Sequence, residues 1–239
     1  MLKSQQVIFQ IYKTFFMEIA LSYYVRQMVK EDIAQVNEID REVFPTQLPP
    51  PDYRRELQNP LARLIVAYDK NKTIEEPEVK VPNASGLVSK IRQLWRREHS
   101  SGHKPPSVSQ YILGFASIWV MADEAHLTNI AVRKQYQQRG IGELLLISMI
   151  DLAAELKADF MTLEVRTSNI SAQNLYRKYG FTQVGVRPGY YTDNREDAIL
   201  MSTQRITSAP FQARLQRLKR TYYQKSGIAD TSLAKFSAR

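Results

Sequence analysis

The chain has 239 residues, 44% of them hydrophobic, which is enough for one sizeable core with appendages. It has no cysteine, which excludes disulfides, thiolate metal sites and a thiol nucleophile. Its three histidines lack the spacing of a zinc motif, and no run approaches the length of a membrane span, so we expect no metal and no transmembrane helix.

The net charge of +9 is concentrated in two segments. Residues 205–239 hold eight Lys or Arg against one Asp, and residues 70–109 hold eight Lys or Arg against four Glu. We predict an N-terminal extension over 1–21, a folded domain over 22–204 with a basic insertion at 70–109, and a basic tail over 205–239. An anionic partner would meet the insertion or the tail. The apolar N-terminal patches have no signal-type cleavage site, so we expect a cytoplasmic protein.

Hydrophobic periodicity predicts the elements in chain order. Strands are predicted over 22–28, 61–68, 111–121, 125–132, 160–165, 181–187 and 197–202. Helices are predicted over 29–43, 53–57, 140–156 and 170–179, and basic amphipathic helices around 88–95 and after Pro210. The order β-α-α-β-β-β-α-β-α-β-β predicts an α/β fold with a mixed sheet and helices on both faces.

The predicted turn between the strand 125–132 and the helix 140–156 carries two glycines. Gly140 and Gly142 let backbone N–H groups converge on an anion at the helix N-terminus, and Arg139 can add a full positive charge. Gly-x-Gly is a weak signal, because a tight turn that merely begins a helix has the same pattern. The longer glycine patterns typical of dinucleotide and ATP sites are absent from this turn.

The turn Gln137-Gln-Arg-Gly-Ile-Gly142 resembles the Q/R-x-x-G-x-G/A motif of the GNAT acetyltransferase superfamily. The resemblance implies a GNAT fold, with a mostly antiparallel central sheet, and acetyl-CoA as the cofactor. At residue 143 this chain has a Glu where relatives often have a basic or small residue. The resemblance assigns cofactor contacts to the turn and the preceding strand, namely Ile130, Ala131, Val132, Gln137, Gln138, Arg139, Gly140, Ile141, Gly142 and Glu143.

A carboxylate and a phenol follow on a strand and the next helix. Moving an acyl group from a thioester to an amine needs a base for the amine and an acid for the thiolate, and Glu164 and Tyr176 can supply both. From spacing alone, a structural role explains Glu164 as well as a catalytic role does. The structural role would be an ion pair with Arg166 or a solvated carboxylate at the sheet edge. Spacing alone favours a packing role for Tyr176.

Residues 163–181 resemble the RimI-type acetyltransferases, which modify the N-terminal alanine of a small-subunit ribosomal protein. The resemblance extends to residues 125–132 and 190–201. It implies Glu164 as general base, Tyr176 as general acid and Asn169 as a further cofactor contact. An α-amine has a pKa of about 7.7–8.0, so a modest base is enough. The amine can attack directly, without a covalent enzyme intermediate.

The acceptor is expected to enter between the loop after the first long helix and the hairpin joining the last two strands. We assign Phe44, Pro45, Tyr190 and Tyr191 to its binding. Packing within the hairpin explains the two tyrosines equally well. Relatives often carry an aromatic residue soon after the Phe-Pro pair, whereas this chain continues with Thr46, so the first residue of the acceptor stays open.

The sequence thus predicts acetyl-CoA-dependent acetylation of a protein N-terminus, with a ribosomal protein as the expected partner. Two alternatives remain open. One is a GNAT enzyme that acetylates lysine or a small amine, because the fold does not fix the acceptor. The other is a non-enzymatic module that uses the basic insertion and tail to bind RNA, the ribosome or an anionic membrane.

Overall fold

The computed structural model describes residues 23–75, except 47, 48 and 50, and residues 108–226. The predicted N-terminal extension, the predicted helix at 88–95 and the last residues of the tail lie outside this part of the chain. The domain boundaries drawn from the sequence therefore stay predictions.

The order of strands and helices predicted from the sequence is confirmed. The strands are β1 Tyr23–Gln27, β2 Ala62–Glu75, β3 Val108–Met121, β4 Glu124–Val132, β5 Phe160–Arg166, β6 Phe181–Tyr191 and β7 Glu196–Thr203. The α-helices are α1 Ile33–Val43, α2 Tyr53–Glu56, α3 Ile141–Glu155, α4 Ile170–Lys178 and α5 Ala209–Ser226. The last helix lies where the amphipathic pattern after Pro210 predicts one. None of these helices is both long and apolar enough to cross a membrane.

The seven strands form one sheet in the order β1-β2-β3-β4-β5-β7-β6. Neighbouring strands are antiparallel except β4 and β5, which are parallel and joined by the crossover helix α3. A parallel pair needs such a crossover because both strands must start at the same edge of the sheet. The sheet is therefore mostly antiparallel, as predicted.

Helices cover both faces of the sheet, and each face has its own core. On one face, buried residues of α3 and α5, with Tyr176 of α4, pack on β4, β5 and β7. On the other face, Val36 and Ile39 of α1 and Tyr53 of α2 pack against Val66 and Phe115. Two apolar layers around one sheet explain how a chain of this length keeps both faces of its central strands dry.

Strands β4 and β5 separate part-way along their length. Their pairing runs from Glu124 and Phe160 to Leu127 and Leu163, although both strands continue further. A register shift between β3 and β4 leaves Thr128 as an extra residue in β4 at this point. A bulge of this kind bends the strand that carries it, so β4 turns away from β5 and leaves an opening.

Three strands are longer than predicted. Strand β2 continues to Glu75, which pairs with Val108 at the start of β3, so residues 70–75 and 108–109 are sheet rather than insertion. Strand β6 continues to Tyr191 in the hairpin with β7. The extensions of β2 and β3 consist mostly of polar residues, and that of β6 is Pro-Gly-Tyr-Tyr, so the alternation that predicts a half-buried strand is missing in all three.

Helix α5 is an integral part of the domain. Its apolar side buries Phe211, Leu215, Tyr222 and Tyr223 in the same core as α3. Lys219 on this side is 4% exposed, and its Nζ lies 2.7 Å from the Asp151 carboxylate of α3. The tail predicted from its charge therefore begins with a helix whose apolar face is occupied by its own domain.

Candidate active site

A cavity of about 680 Å³ opens where β4 and β5 separate. The loop after α1, the diverging ends of β4 and β5, the start of α4 and the β6–β7 hairpin form its walls. The predicted site residues that line it are Phe44, Pro45, Ile130, Glu164, Asn169, Tyr176, Tyr190 and Tyr191. Residues expected to serve as base, acid, cofactor contact and acceptor contact therefore share one cavity.

The Glu164 carboxylate is buried but fully partnered. Its side chain is 7% exposed, with Oε2 3.0 Å from His126 Nε2 and Oε1 3.0 Å from an Arg187 nitrogen. The hydrogen bond from His126 holds the pKa of Glu164 below its usual value, although burial acts in the opposite direction. The ion pair with Arg166 that strand spacing allowed does not form. Arg166 shares the strand face but pairs with residues of the hairpin.

His126 continues a line of polar contacts beyond Glu164. It lies beside Thr162 in the parallel register of β4 and β5, and its Nδ1 is 2.7 Å from Thr162 Oγ1. The Thr162 hydroxyl donates to the Glu124 carboxylate at the beginning of β4. Side chains two residues apart on a strand share a face, which is why Glu124 and His126 face Thr162 and Glu164 across the strand pair.

Tyr176 lines the cavity from α4. Its ring packs in the core against Phe181, with ring centroids 5.8 Å apart. Burial raises the pKa of its hydroxyl above the usual value for tyrosine, and the nearby Tyr191 adds to the effect. Packing and a proton-donor role are thus compatible, because a buried phenol keeps its proton through the neutral range.

The two tyrosines at the end of β6 form an aromatic corner over the cavity. Tyr190 and Tyr191 meet edge to face with ring centroids 5.2 Å apart. The Arg166 guanidinium lies 3.9 Å from the centroid of the Tyr191 ring, and that of Arg187 lies 5.6 Å from the centroid of Tyr190. Burial raises the pKa of Tyr191 to about 12. Both hydroxyls thus stay neutral at physiological pH and can serve as hydrogen-bond donors.

A charged network joins the hairpin to β5 and to the loop after α1. Arg166 donates two hydrogen bonds to Asp193, at 3.0 and 2.9 Å, and one to Glu196 at 3.1 Å. Asp193 also accepts a hydrogen bond from the Thr46 hydroxyl, and Glu196 accepts one from the Ser168 backbone N–H at 2.7 Å. These contacts hold the hairpin and the loop after α1, which border the predicted acceptor entrance, in place against β5.

The glycine turn before α3 contains two residues in the left-handed backbone region. Gln138 and Gly140 have positive φ angles of 60° and 83°. Gly140 is the N-cap of α3, so the N–H groups of the first helical turn have no partners within the helix. Arg139 is exposed and lies over the Tyr136 ring, 5.1 Å from its centroid. The turn therefore offers N–H donors and a movable cation to an anion.

The carboxylate of Glu143, at a position where relatives often have a basic or small residue, is turned towards α4. It accepts a hydrogen bond from the Tyr179 hydroxyl at 2.6 Å and pairs with the Lys178 ammonium. Its negative charge is therefore balanced at the helix start, where an uncompensated carboxylate would repel a phosphate.

Two other predicted cofactor contacts have clear structural positions. Asn169 is the N-cap of α4, and its side chain accepts a hydrogen bond from the Ala172 N–H at 3.1 Å. The β4 residues Ile130, Ala131 and Val132 lie past the end of the β4–β5 pairing. Their backbone therefore faces the opening on that side, as strand addition by an extended ligand requires. In the described part of the chain, no three His, Asp or Glu side chains are grouped as metal ligands.

Comparison with known proteins agrees with this geometry. A model of the acetyltransferase (GNAT) family matches residues 78–181. The ribosomal protein bS18-alanine N-acetyltransferase of Escherichia coli K12 is 46% identical over 90 residues, 37% of this chain and 61% of that protein. A Bacillus subtilis protein provisionally given the same name is 44% identical over 91 residues, 38% of this chain and 60% of that protein. The chain thus spans about three fifths of the length of these relatives.

A solved structure has a similar fold. The crystal structure of the Escherichia coli ribosomal-protein-S18-alanine N-acetyltransferase superposes with a TM-score of 0.54 and 24% identity, covering 76% of this chain and 93% of that one. Residues 78–181 are thus similar to the GNAT acetyltransferases, and the chain has the fold of this solved acetyltransferase.

Within the domain the predicted site residues fall into two places. The residues assigned to catalysis and to the acceptor line the cavity, together with Ile130 and Asn169. The turn at residues 137–143 follows the strand that forms the cavity wall and is not part of the cavity lining. Ile141 is 1% exposed and belongs to the core, so any contact it makes with a ligand runs through its backbone.

Sequence reasoning missed the partners of Glu164. The spacing of the histidines bears only on a metal site, and Arg187 is predicted only to begin the hairpin, residues 187–194, that borders the acceptor site. Both contact Glu164 because β4 lies beside β5 on one side, and β6 lies one strand away on the other side, beyond β7. The one local sign of these contacts is the alternation of polar residues in β4. This alternation predicts a polar face on the strand but not which residues that face contacts.

Proposed function

We propose that this chain transfers the acetyl group of acetyl-CoA to the N-terminal α-amine of a protein, with a ribosomal protein as the acceptor class. The observation that carries the proposal is the cavity in which Glu164 and Tyr176 lie between an open strand edge and a tyrosine-lined entrance. The partial matches to bS18-alanine N-acetyltransferases support this acceptor class.

Glu164 is the group through which the acceptor amine loses its proton. It is ionised at neutral pH, since its pKa is lowered, and it lies at the cavity wall. An ammonium entering between the loop after α1 and the hairpin meets this carboxylate inside the cavity. The carboxylate therefore orients the amine as well as receiving its proton.

Tyr176 is the acid that protonates the departing thiolate. Burial keeps its hydroxyl protonated, and the cavity gives the hydroxyl access to a bound thioester. A coenzyme A thiol has a pKa of about 8.5, like that of cysteine, so the thiolate needs only a modest donor in close contact.

Acetyl-CoA fits the donors that the chain presents. The N–H groups at the start of α3 and the Arg139 guanidinium suit a pyrophosphate, and the carboxylate of Glu143 is already neutralised by Lys178. The free edge of β4 suits the amide groups of a pantetheine arm. When bound, acetyl-CoA supplies the activated acetyl group, and a β4 N–H can stabilise the oxyanion that forms during attack.

The acceptor is selected by the passage between Phe44–Pro45 and the aromatic corner of Tyr190 and Tyr191. The passage ends at a buried carboxylate, which favours a cationic amine. The hydroxyls of the tyrosines can donate hydrogen bonds to the carbonyls of an extended peptide. A free N-terminus combines both features in one ligand.

A peptide panel tests the proposal. The purified full chain is incubated with acetyl-CoA and peptides that begin with Ala, Ser, Met or Lys, and acetylation is mapped by mass spectrometry. We expect transfer to the α-amine and none to internal lysines. Transfer to lysine side chains alone would show a different acceptor class, and absence of transfer to every free N-terminus would refute the proposal.

A further inference from the structure

The exposed side of helix α5 carries a row of arginines. Arg214, Arg217 and Arg220 recur every three residues and are all exposed, while the opposite side of the helix is buried in the core that it shares with α3. Residues three apart on a helix have Cβ atoms about 5–6 Å apart, so these side chains are neighbours along the surface. The three residues are called the arginine row below.

The charge of the arginine row is not balanced by nearby carboxylates. Residues 198–229 contain no Asp or Glu. Other cations in this region are paired, namely Lys178 with Glu143, Arg205 with Asp159 and Lys219 with Asp151. In the part of the chain that the structure describes, no carboxylate pairs with a member of the row. Like charges about one turn apart destabilise a helix, so an anion supplied from outside would relieve their repulsion.

Contacts within the fold explain one member of the row. Arg214 donates hydrogen bonds to the backbone carbonyls of Arg177 and Lys178, at 3.3 and 3.0 Å, where the end of α4 leaves carbonyls without helical partners. Among the described residues, no hydrogen bond or ion pair holds the guanidinium group of Arg217 or Arg220. The helix dipole favours cations in the last turn, and both arginines lie before it. Their presence therefore has no explanation in the folding of this domain.

The residues around the arginine row indicate the kind of anion that it fits. The other exposed side chains between residues 213 and 224 are small or polar, namely Ala213, Gln216, Thr221 and Gln224. This side of α5 thus has no large apolar side chain to enter a lipid bilayer, and no aromatic ring on which an unpaired base could stack. Guanidinium groups form paired hydrogen bonds with phosphate oxygens. The surface therefore fits the phosphate backbone of a nucleic-acid duplex.

The arginine row lies away from the cavity. The cavity is lined by the loop after α1, strands β4 and β5, helix α4 and the β6–β7 hairpin, and by no residue of α5. A polyanion bound to the row therefore leaves the entrance for the acceptor open. Binding and acetyl transfer can take place at the same time.

We propose that the arginine row of α5 docks on double-stranded segments of ribosomal RNA, through their phosphates and without reading the bases. The choice of RNA rests on the proposed function, because a ribosomal protein acceptor is bound to ribosomal RNA in the ribosome. Docking on the same RNA raises the effective concentration of that acceptor at the cavity. The phosphate contacts release counterions, so the binding depends steeply on salt.

The salt dependence of RNA binding tests the proposal without any acetyl transfer. Fluorescence anisotropy measures the Kd of the purified full chain for a fluorescein-labelled RNA duplex of about 20 base pairs, at about 50 to 300 mM KCl. We expect Arg217→Gln combined with Arg220→Gln to raise the Kd at least about tenfold at the lowest salt, and to reduce the slope of log Kd against log salt by about two. Arg217→Lys combined with Arg220→Lys keeps both charges and should keep the slope.

A second double variant controls for net charge. Lys30 and Arg54 are exposed cations before α1 and within α2, and these helices pack on the other face of the sheet. Lys30→Gln combined with Arg54→Gln removes the same two charges and should change the Kd by less than about twofold, because salt screens exposed charges at that distance. Unchanged midpoints in urea denaturation check that each variant is folded.

The outcomes separate this proposal from the proposed function. Equal salt slopes for the Arg217→Gln, Arg220→Gln variant and the unmodified chain, or an equal loss of affinity in the control, would refute RNA docking by the row. Binding to phosphatidylserine vesicles that requires the row, without binding to the duplex, would refute it in favour of a membrane. Acetylation of free peptides by the arginine variant should match that of the unmodified chain. Absence of transfer by the unmodified chain would refute the proposed function, whereas the RNA measurement alone decides whether the row docks.

Discussion

The hydroxyl of Tyr222 in the C-terminal helix donates a hydrogen bond to the backbone carbonyl of Gly140 at 3.2 Å. Gly140 is the residue with positive φ that begins α3 and the proposed phosphate-binding turn. The Tyr222 ring also lies 3.2 Å from where a Cβ of residue 140 would be, so the two are in close contact. Helix α5 therefore supports the turn from behind.

Tyr222→Phe should weaken cofactor binding more than it slows the reaction. Removing a hydrogen bond of this kind costs about 0.5–1.5 kcal/mol, which corresponds to about a two- to tenfold rise in the Kd for coenzyme A. Calorimetry with coenzyme A measures it, and kcat at saturating acetyl-CoA should stay nearly unchanged. Gln224→Ala, on the exposed side of the same helix, is the control. Equal affinities for Tyr222→Phe and the unmodified chain would contradict this role.

Glu164→Gln should reduce kcat by about a hundredfold or more, because general-base contributions are typically of this size. Its Kd for acetyl-CoA should change less than about twofold, since the carboxylate contacts His126 and Arg187 rather than the turn before α3. Steady-state kinetics and calorimetry give the two numbers. Glu155→Gln, an exposed carboxylate of α3, is the matched control. Parallel losses in kcat and affinity would indicate a purely structural ion pair.

Tyr176→Phe should lower kcat by about ten- to a hundredfold, the range for loss of a general acid. Because burial raises the pKa of Tyr176, the hydroxyl keeps its proton above the ordinary tyrosine range. The kcat of the unmodified chain should therefore not fall between pH 8 and about 9.5. A fall that begins near pH 9 and vanishes in Tyr176→Phe would contradict this. Tyr24→Phe, outside the cavity, is the control.

The β6–β7 hairpin should become less stable in acid. Hydrogen bonds from Ser168 and contacts with Arg166 lower the pKa of Glu196 from 4.5 to about 2. A lowered pKa means that the carboxylate stabilises the folded state above the unfolded value, and that this stabilisation is lost as the pH falls from 4.5 to 2. The Tm difference between the unmodified chain and Glu196→Gln should therefore shrink over that interval in thermal melts. An equal difference at pH 7 and pH 2.5 would refute it.

Lys219→Met should destabilise the domain by about 3–5 kcal/mol, because it removes one partner of a buried ion pair and leaves Asp151 without this cation. Urea denaturation measures the change in the free energy of unfolding. Lys225→Met, on the exposed side of α5, should change it by less than about 0.5 kcal/mol. A loss below about 1 kcal/mol in Lys219→Met would mean that α5 is only loosely attached.

Much of the fold could be predicted because its signals are local. Apolar spacing identified the described strands and helices to within a few residues, except where β2, β3 and β6 continue without apolar alternation. The Gly140–Gly142 turn was evident because few residues tolerate its positive φ. Glu164 and Tyr176 became candidates through the resemblance of the surrounding segment to a family.

The amino-acid sequence by itself determined the elements, the glycine turn and the set of side chains able to do the chemistry. Only the tertiary structure decided that Glu164 pairs with His126 and Arg187 instead of Arg166, and that Tyr222 contacts Gly140. The reason is physical. Periodicity reports which face of an element is buried, but strand order and helix packing decide which faces meet, and those contacts join residues far apart in the chain.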